Sequence, residues 1–243
     1  MIKGFIFDYG GTLDTCGKHW GRVLWHAYEH QQVPVSEEQF REAYIHAERT
    51  LGKNHIIQPD FTLRQTLEKK LEIELEHLSM LASRSMTQYL EPLLNDLYTH
   101  VVKTTQHSVE VLRELQESCG LPMVLVSNFY GNIQVVLREF GFDGLFDEVV
   151  ESAVVGIRKP DARIFTLGVE ELKLKPSDAS GVIVVGDSIS KDIIPAQKIG
   201  CQTVWLKGEG WFGEEQDETV PDNIITDLSQ LLLCVKSDNK QKS

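Results

Sequence analysis

A small set of side chains able to do chemistry falls at one kind of place in this chain, just beyond short apolar runs. Asp8 ends the run Ile2-Lys3-Gly4-Phe5-Ile6-Phe7 and is followed by Gly10-Gly11. Ser127 and Asn128 end Met123-Val124-Leu125-Val126, and Asp187 ends Val182-Ile183-Val184-Val185-Gly186, with Asp192 five residues on. Lys159, in the pair Lys159-Pro160, stands ahead of a helical pattern. Carboxylates brought together repel one another unless a cation sits among them. A ligand set made only of oxygens suits Mg²⁺, which keeps several waters and commonly adds substrate phosphate to a few carboxylates. The Ser127 hydroxyl, the backbone N–H groups that follow it and the Lys159 ammonium would supply donors and positive charge for an anion. Each residue has a plainer reading alone. Asp192 could be a helix N-cap, Ser127-Asn128 a turn, and Lys-Pro a loop. Their joint placement at successive strand ends selects the chemical reading.

The elements that would position them follow from periodicity. From about residue 105, amphipathic helices (Val109, Leu112, Leu115; Ile133 to Phe140; Ala162 to Leu172; Ile193 to Ile199) alternate with Val- and Ile-rich runs at 123–127, 148–150, 182–186 and 203–206. Continuous apolar runs separated by helices predict a parallel sheet covered on both faces. The fold class is therefore α/β, a doubly wound, Rossmann-like sheet whose ligands bind beyond the carboxyl ends of the strands. Residues 16–100 differ. Apolar positions recur there at helical spacing (Trp20, Val23, Leu24, Ala27; Phe40, Ala43, Tyr44, Ala47, Leu51; Met86, Tyr89, Leu90, Leu93, Leu94, Leu97). Ser36 with Gln39 and Thr62 with Gln65 form two capping boxes, and Pro92 predicts a kink or a first turn. The expected organisation is a core of 1–15 and 101–236, an all-α cap of 16–100 inserted after the first strand, and a polar, fraying tail of 237–243.

With 24 Lys and Arg against 36 Asp and Glu, the formal net charge is −12, which gives no electrostatic footprint for nucleic acid or anionic membranes. The apolar runs, such as Leu231 to Val235, are far short of the roughly 20 residues that span a bilayer. The opening MIKGFIFD is too short in its apolar run for a signal peptide. Cys16, Cys119, Cys201 and Cys234 lack metal-type spacing and read as free thiols of a cytoplasmic protein.

In order and spacing, FDYGGTLD, VLVSN, RKPDARIF and VVGDSISKD resemble the four motifs of the haloacid dehalogenase superfamily, in a member with a helical cap between the first and second motifs. The resemblance covers the core; the cap matches by position and helicity. It implies that Asp8 is the nucleophile, forming an aspartyl-phosphate. It further implies that Thr12 and Ser127 hold phosphoryl oxygens with backbone donors near Gly11 and Asn128, and that Lys159 neutralises nucleophile and transferring group. Asp8, the Gly10 carbonyl and Asp187 would bind Mg²⁺, with Asp192 orienting its waters. The cap would close over a small phosphorylated metabolite and exclude water.

One position departs from the pattern. Phosphatases of this family carry a second Asp two residues after the nucleophile, serving as general acid and base, and here that residue is Gly10. Its carbonyl survives; its carboxyl does not. Replacement acid/base groups to weigh are Asp14, His19 and His26, the two histidines being placed seven apart on one predicted helix face. An alternative reading is a phosphonoacetaldehyde hydrolase-like enzyme cleaving a C–P bond, with Lys53 as a Schiff-base lysine. Another is a metal- or phosphate-binding protein that has lost turnover. A dehalogenase fits less well, because that branch lacks the arrangement that Gly186-Asp187 and Asp192 provide.

Overall fold

The computed structural model describes residues 1–213 and 216–233. The expected tail of 237–243, the end of the core stretch to 236 and Cys234 lie outside these residues. Strand β1 (Gly4–Phe7) is followed by four helices, α1 (Trp20–His30), α2 (Glu37–Lys53), α3 (Leu63–Ala82) and α4 (Leu90–Cys119). Then come β2 (Met123–Ser127), α5 (Ile133–Glu139), β3 (Glu148–Glu151), a short α6 (Ser152–Val155), α7 (Arg163–Glu171) and β4 (Val182–Gly186). A π-helical turn (Ile189–Ile193) runs into α8 (Ile194–Lys198), followed by β5 (Gln202–Leu206) and β6 (Asn223–Ile225).

The described strands form one parallel sheet in the order β3-β2-β1-β4-β5-β6. Side chains alternate across it, as the two-residue period of a strand requires. Ile6, Val124, Val126 and Val184 pack against Ile164, Phe165 and Val169 of α7 on one side. Phe5, Phe7, Leu125 and Val185 face the other way, in an apolar cluster continuous with Leu112 and Leu115 of α4 and with the helical insertion. From β1 the chain winds outward in one direction through β2 and β3, and in the other from β4. The ligand crevice of such a sheet opens where the winding reverses, at the carboxyl ends of β1 and β4.

Both predicted capping boxes are present, Ser36 with Gln39 and Thr62 with Gln65, and Pro92 lies in the first turn of α4. The expected seam at residues 100–101 falls inside α4, which runs unbroken for 30 residues, about 45 Å at 1.5 Å per residue. The patterns around Leu97 and Val109 are one stripe, because Val101, Thr105 and Ser108 continue it at spacings of three and four on the buried face. Strand β6 is too short for its period to show in the sequence. Cys16, Cys119 and Cys201 are free thiols. Among the described residues no helix is long and apolar enough to cross a membrane.

Candidate active site

Asp8, Asp187, Asp192 and Lys159 meet at the switch point. Asp8 is fixed to the neighbouring strand by its N–H, which donates to the Val185 carbonyl at 3.0 Å. Asp187 leaves β4 in a loop pinned by the Trp205 indole, which donates to the Asp187 carbonyl at 2.7 Å. Asp192 lies on the π-helical turn, and its carboxylate accepts from the Ser188 N–H at 3.1 Å. Carboxylate oxygens of Asp8, Asp187 and Asp192 all lie within 4.8 Å of one another. Two glycines make this approach possible. A Cβ on Gly11, whose φ is +98°, would stand 2.3 Å from Asp187 Oδ2, and one on Gly186 would stand 2.4 Å from Asp192 Cβ.

Lys159 bridges two of the three acids. Its ammonium donates to Asp8 Oδ1 at 2.6 Å and to Asp192 Oδ1 at 2.7 Å, and all three of these side chains are buried. Burial works to lower the Lys159 pKa, but Asp192 and Asp8 outweigh it and hold it above its ordinary value. Burial raises Asp8 to about 6, opposed by Lys159 and assisted by the Asp192 charge. Burial, then Asp192 and Asp8, push Asp187 well above the usual carboxylate range. Three carboxylates thus face one ammonium in a buried crevice, and their mutual repulsion is what raises Asp8 and Asp187 further than burial alone. The donors are hard oxygens, and the group fits a small divalent cation.

Asn128 positions the lysine. Its amide donates to the Lys159 carbonyl at 3.1 Å, and its Oδ1 accepts from the Lys159 N–H at 2.9 Å. The Ser127 hydroxyl is buried without a hydrogen-bond partner, a state that costs about 1–3 kcal/mol unless something binds it. Two expected phosphate donors are committed elsewhere. The Gly11 N–H donates to Asp14 Oδ1 at 2.7 Å, and the Thr12 hydroxyl donates to Asp187 Oδ1 at 3.3 Å. Both residues shape the floor on which the carboxylates stand.

The candidates for the missing acid/base group separate clearly. Asp14 is buried with both oxygens occupied, by Gly11 N–H and by the Trp20 indole N–H at 2.8 Å, and burial raises it to about 7. It orders the turn. His26 is exposed and bonded to Glu29 and Glu209. His19 is the N-cap of α1, outside the helix, so the two histidines do not share a helix face. His19 alone of the two lines the cavity of about 140 Å³ that opens over Asp8, Asp187 and Asp192. Its Nδ1 accepts from the Gly21 N–H at 3.0 Å, which leaves the ring hydrogen on Nε2. Burial, with Lys191 and Lys70 nearby, lowers its pKa to about 3. Gly10 also lines the cavity; a Cβ there would meet only the Trp20 indole, at an ordinary 3.8 Å.

Lys53 is exposed at the end of α2 and does not reach the cavity. The insertion lysine that does is Lys70, buried in an ion pair with Glu48, its ammonium 4.3 Å over the Tyr44 ring. The Tyr130 hydroxyl, from the loop after β2, donates to the same Glu48 at 3.1 Å. Sequence reasoning missed this group, although a signal was present. On α3 the stripe Leu63, Leu67, Leu71, Leu75, Leu78 also contains Lys70 and Glu74, charges at positions facing the core.

The profile of the haloacid dehalogenase-like hydrolases matches residues 2–200, and the chain belongs to that family. Among its relatives are glyceraldehyde 3-phosphate phosphatases of Pyrococcus furiosus, 26% identical over 98% of this chain and 95% of that protein, and of Pyrococcus abyssi, 33% identical over 98% and 96%. A solved dehalogenase in an intermediate complex shares the fold with a TM-score of 0.64, at 18% identity over 96% of each chain.

Proposed function

We propose that this protein is a Mg²⁺-dependent phosphatase acting on a small phosphorylated metabolite through a phospho-Asp8 intermediate. The observation that carries the reading is the cluster itself: three carboxylates within 4.8 Å, two of them bridged by a buried lysine, with the unpartnered Ser127 hydroxyl at the end of β2, the strand next to β1. The relatives named as glyceraldehyde 3-phosphate phosphatases support the substrate class. The cavity, at about 140 Å³, is small beside the roughly 300–1,000 Å³ that accommodates drug-sized ligands.

Asp8 Oδ attacks phosphorus while Lys159 neutralises the carboxylate and then the transferring group. Ser127 and the backbone N–H of Asn128 hold phosphoryl oxygens, so the hydroxyl gains the partner it lacks. Asn128 keeps Lys159 in place through its main chain. Asp8, Asp187 and the Gly10 carbonyl would hold Mg²⁺, with Asp192 acting through its waters, and the cation would offset the negative charge of the crevice and of the phosphoryl oxygens. Phosphoryl transfer depends chiefly on such positioning and fixed charge. The phosphonate reading required an amine in the cavity at Lys53, and Lys53 is on the surface.

The test is phosphate release from a panel of phosphate esters, with Mg²⁺ and with chelator. Release should vanish with chelator, and Asp8→Asn, which can neither attack phosphorus nor carry the charge, should be folded and inactive. A folded Asp8→Asn protein that retained turnover would overturn the mechanism.

A further inference from the structure

We propose that the site is built for phosphate compounds whose leaving oxygen departs without a proton, that is acyl and aryl phosphates, and that it handles alkyl phosphates poorly. This rests on the phosphatase reading above and concerns what surrounds the departing group. Position 10 has no carboxyl, and the space beside it is bounded by the edge of the Trp20 indole. That indole cannot serve as a donor, since its N–H is held by Asp14. Asp14 in turn has both oxygens bonded, to Gly11 and Trp20. His19 holds its single ring hydrogen on Nε2 because Nδ1 caps α1, and its neutral state makes it a very weak acid. Across the cavity Lys70 is tied to Glu48, and Glu48 to Tyr130. Of the titratable groups of the insertion that face the cavity, Glu48 and Lys70 are tied to each other, His19 is held neutral by burial, and burial pushes the Tyr44 hydroxyl well above its ordinary pKa, so that it parts with a proton poorly.

The chemistry then balances as follows. Asp8 Oδ forms its bond to phosphorus as the bond to the departing oxygen breaks, and the electron pair leaves with a carboxylate or phenolate that is stable unprotonated. A water molecule next attacks phosphorus, the bond to Asp8 breaks, and the carboxylate and inorganic phosphate are regenerated, the water's proton passing to phosphate or solvent. An alkoxide in the first step would need a proton, and neither the Trp20 indole nor Asp14, the groups beside position 10, is free to supply it. A positioned general acid typically contributes about 10²–10⁴-fold, and the penalty for alkyl substrates should be of that order.

The experiment compares kcat/KM for acetyl phosphate and p-nitrophenyl phosphate with that for glyceraldehyde 3-phosphate and glucose 6-phosphate, with Mg²⁺, in the wild type and in Gly10→Asp. The backbone at position 10 tolerates a Cβ, with only the Trp20 ring at contact distance. The wild type should prefer the acyl and aryl compounds by at least about 100-fold, and Gly10→Asp should narrow the gap by raising the alkyl rates. A series of substituted phenyl phosphates adds a readout independent of the variant: the wild-type rate should fall steeply as the phenol becomes less acidic. Equal treatment of acyl, aryl and alkyl compounds by the wild type, with a flat phenol series, would overturn the inference and leave the phosphatase reading intact. No turnover of any compound would overturn both.

Discussion

Glu74 offers a direct measure of how the insertion trades stability for polar groups near the cavity. It is fully buried on α3, accepts from the Tyr28 hydroxyl at 3.0 Å through Oε2, and leaves Oε1 without a partner. Burial raises its pKa to about 7 from 4.5, against the lowering influence of Lys70 and of the Tyr28 hydrogen bond. The folded carboxyl is therefore protonated more readily than the unfolded one. Below about pH 4.5 both states carry the proton and the shift costs nothing. As pH rises from about 4.5 to about 7 the unfolded state ionises first, so folding loses stability across that window and no more above it. At 1.36 kcal/mol per unit, the loss is about 3 kcal/mol. Glu74→Gln keeps an oxygen for Tyr28 and removes the titration. Denaturant unfolding of both proteins from about pH 4 to about pH 8 should show the variant gaining about 3 kcal/mol on the wild type between the ends of the window. A difference in stability that stayed constant with pH would refute the reasoning, because it would mean that Glu74 titrates alike in both states.

Two other outcomes follow from the crevice. Mg²⁺ should raise the melting temperature, since it relieves the repulsion among three clustered carboxylates and binds the folded state, and Asp187→Asn should reduce that rise; scanning calorimetry with and without chelator checks it. Gly11→Ala should destabilise the protein by about 1–3 kcal/mol, because an L-residue is strained at φ +98° and its Cβ meets the Asp187 carboxylate. Gly10→Ala, with open contact only to Trp20, should leave stability within about 1 kcal/mol by the same chemical denaturation.

The parts of the site legible in the sequence are those that depend on local order along the chain. Asp8, Ser127, Asp187 and Lys159 could be read because each stands at the end of a Val- or Ile-rich run or beside a proline. A parallel sheet carries all such ends to one edge. The helical insertion was legible as helices for the same reason, with Ser36 and Thr62 marking two of its starts. The contents of the cavity wall were not. Which of His19 and His26 faces the crevice depends on where α1 begins, and His19 falls one residue before it, where its ring caps the helix. Gly11 and Thr12 looked like phosphate ligands by position, yet their donors are consumed by Asp14 and Asp187, a partnership set by a turn whose hydrogen bonds the sequence does not display. Lys53 drew notice as an insertion lysine beside a glycine, while Lys70 was hidden inside a leucine stripe. A charge on a stripe is visible in a sequence; the partner that accounts for it, Glu48 on another helix, is not.

That stripe shows why the polar residues persist. Leucine at position 74 would complete the apolar face of α3 and abolish the ionisation cost, yet it would strip the buried Tyr28 hydroxyl of its acceptor. Losing that partner costs about 1–3 kcal/mol, comparable with the titration penalty it removes at neutral pH. Glu74→Leu should accordingly gain little at about pH 7 and lose stability at about pH 4.5, where the wild-type carboxyl carries its proton at no cost, whereas Glu74→Gln should gain at neutral pH. The two variants together separate the charge from the hydrogen bond. If Glu74→Leu matched Glu74→Gln at every pH, the Tyr28 bond would contribute nothing, and the insertion would owe its buried polar residues to the cavity alone.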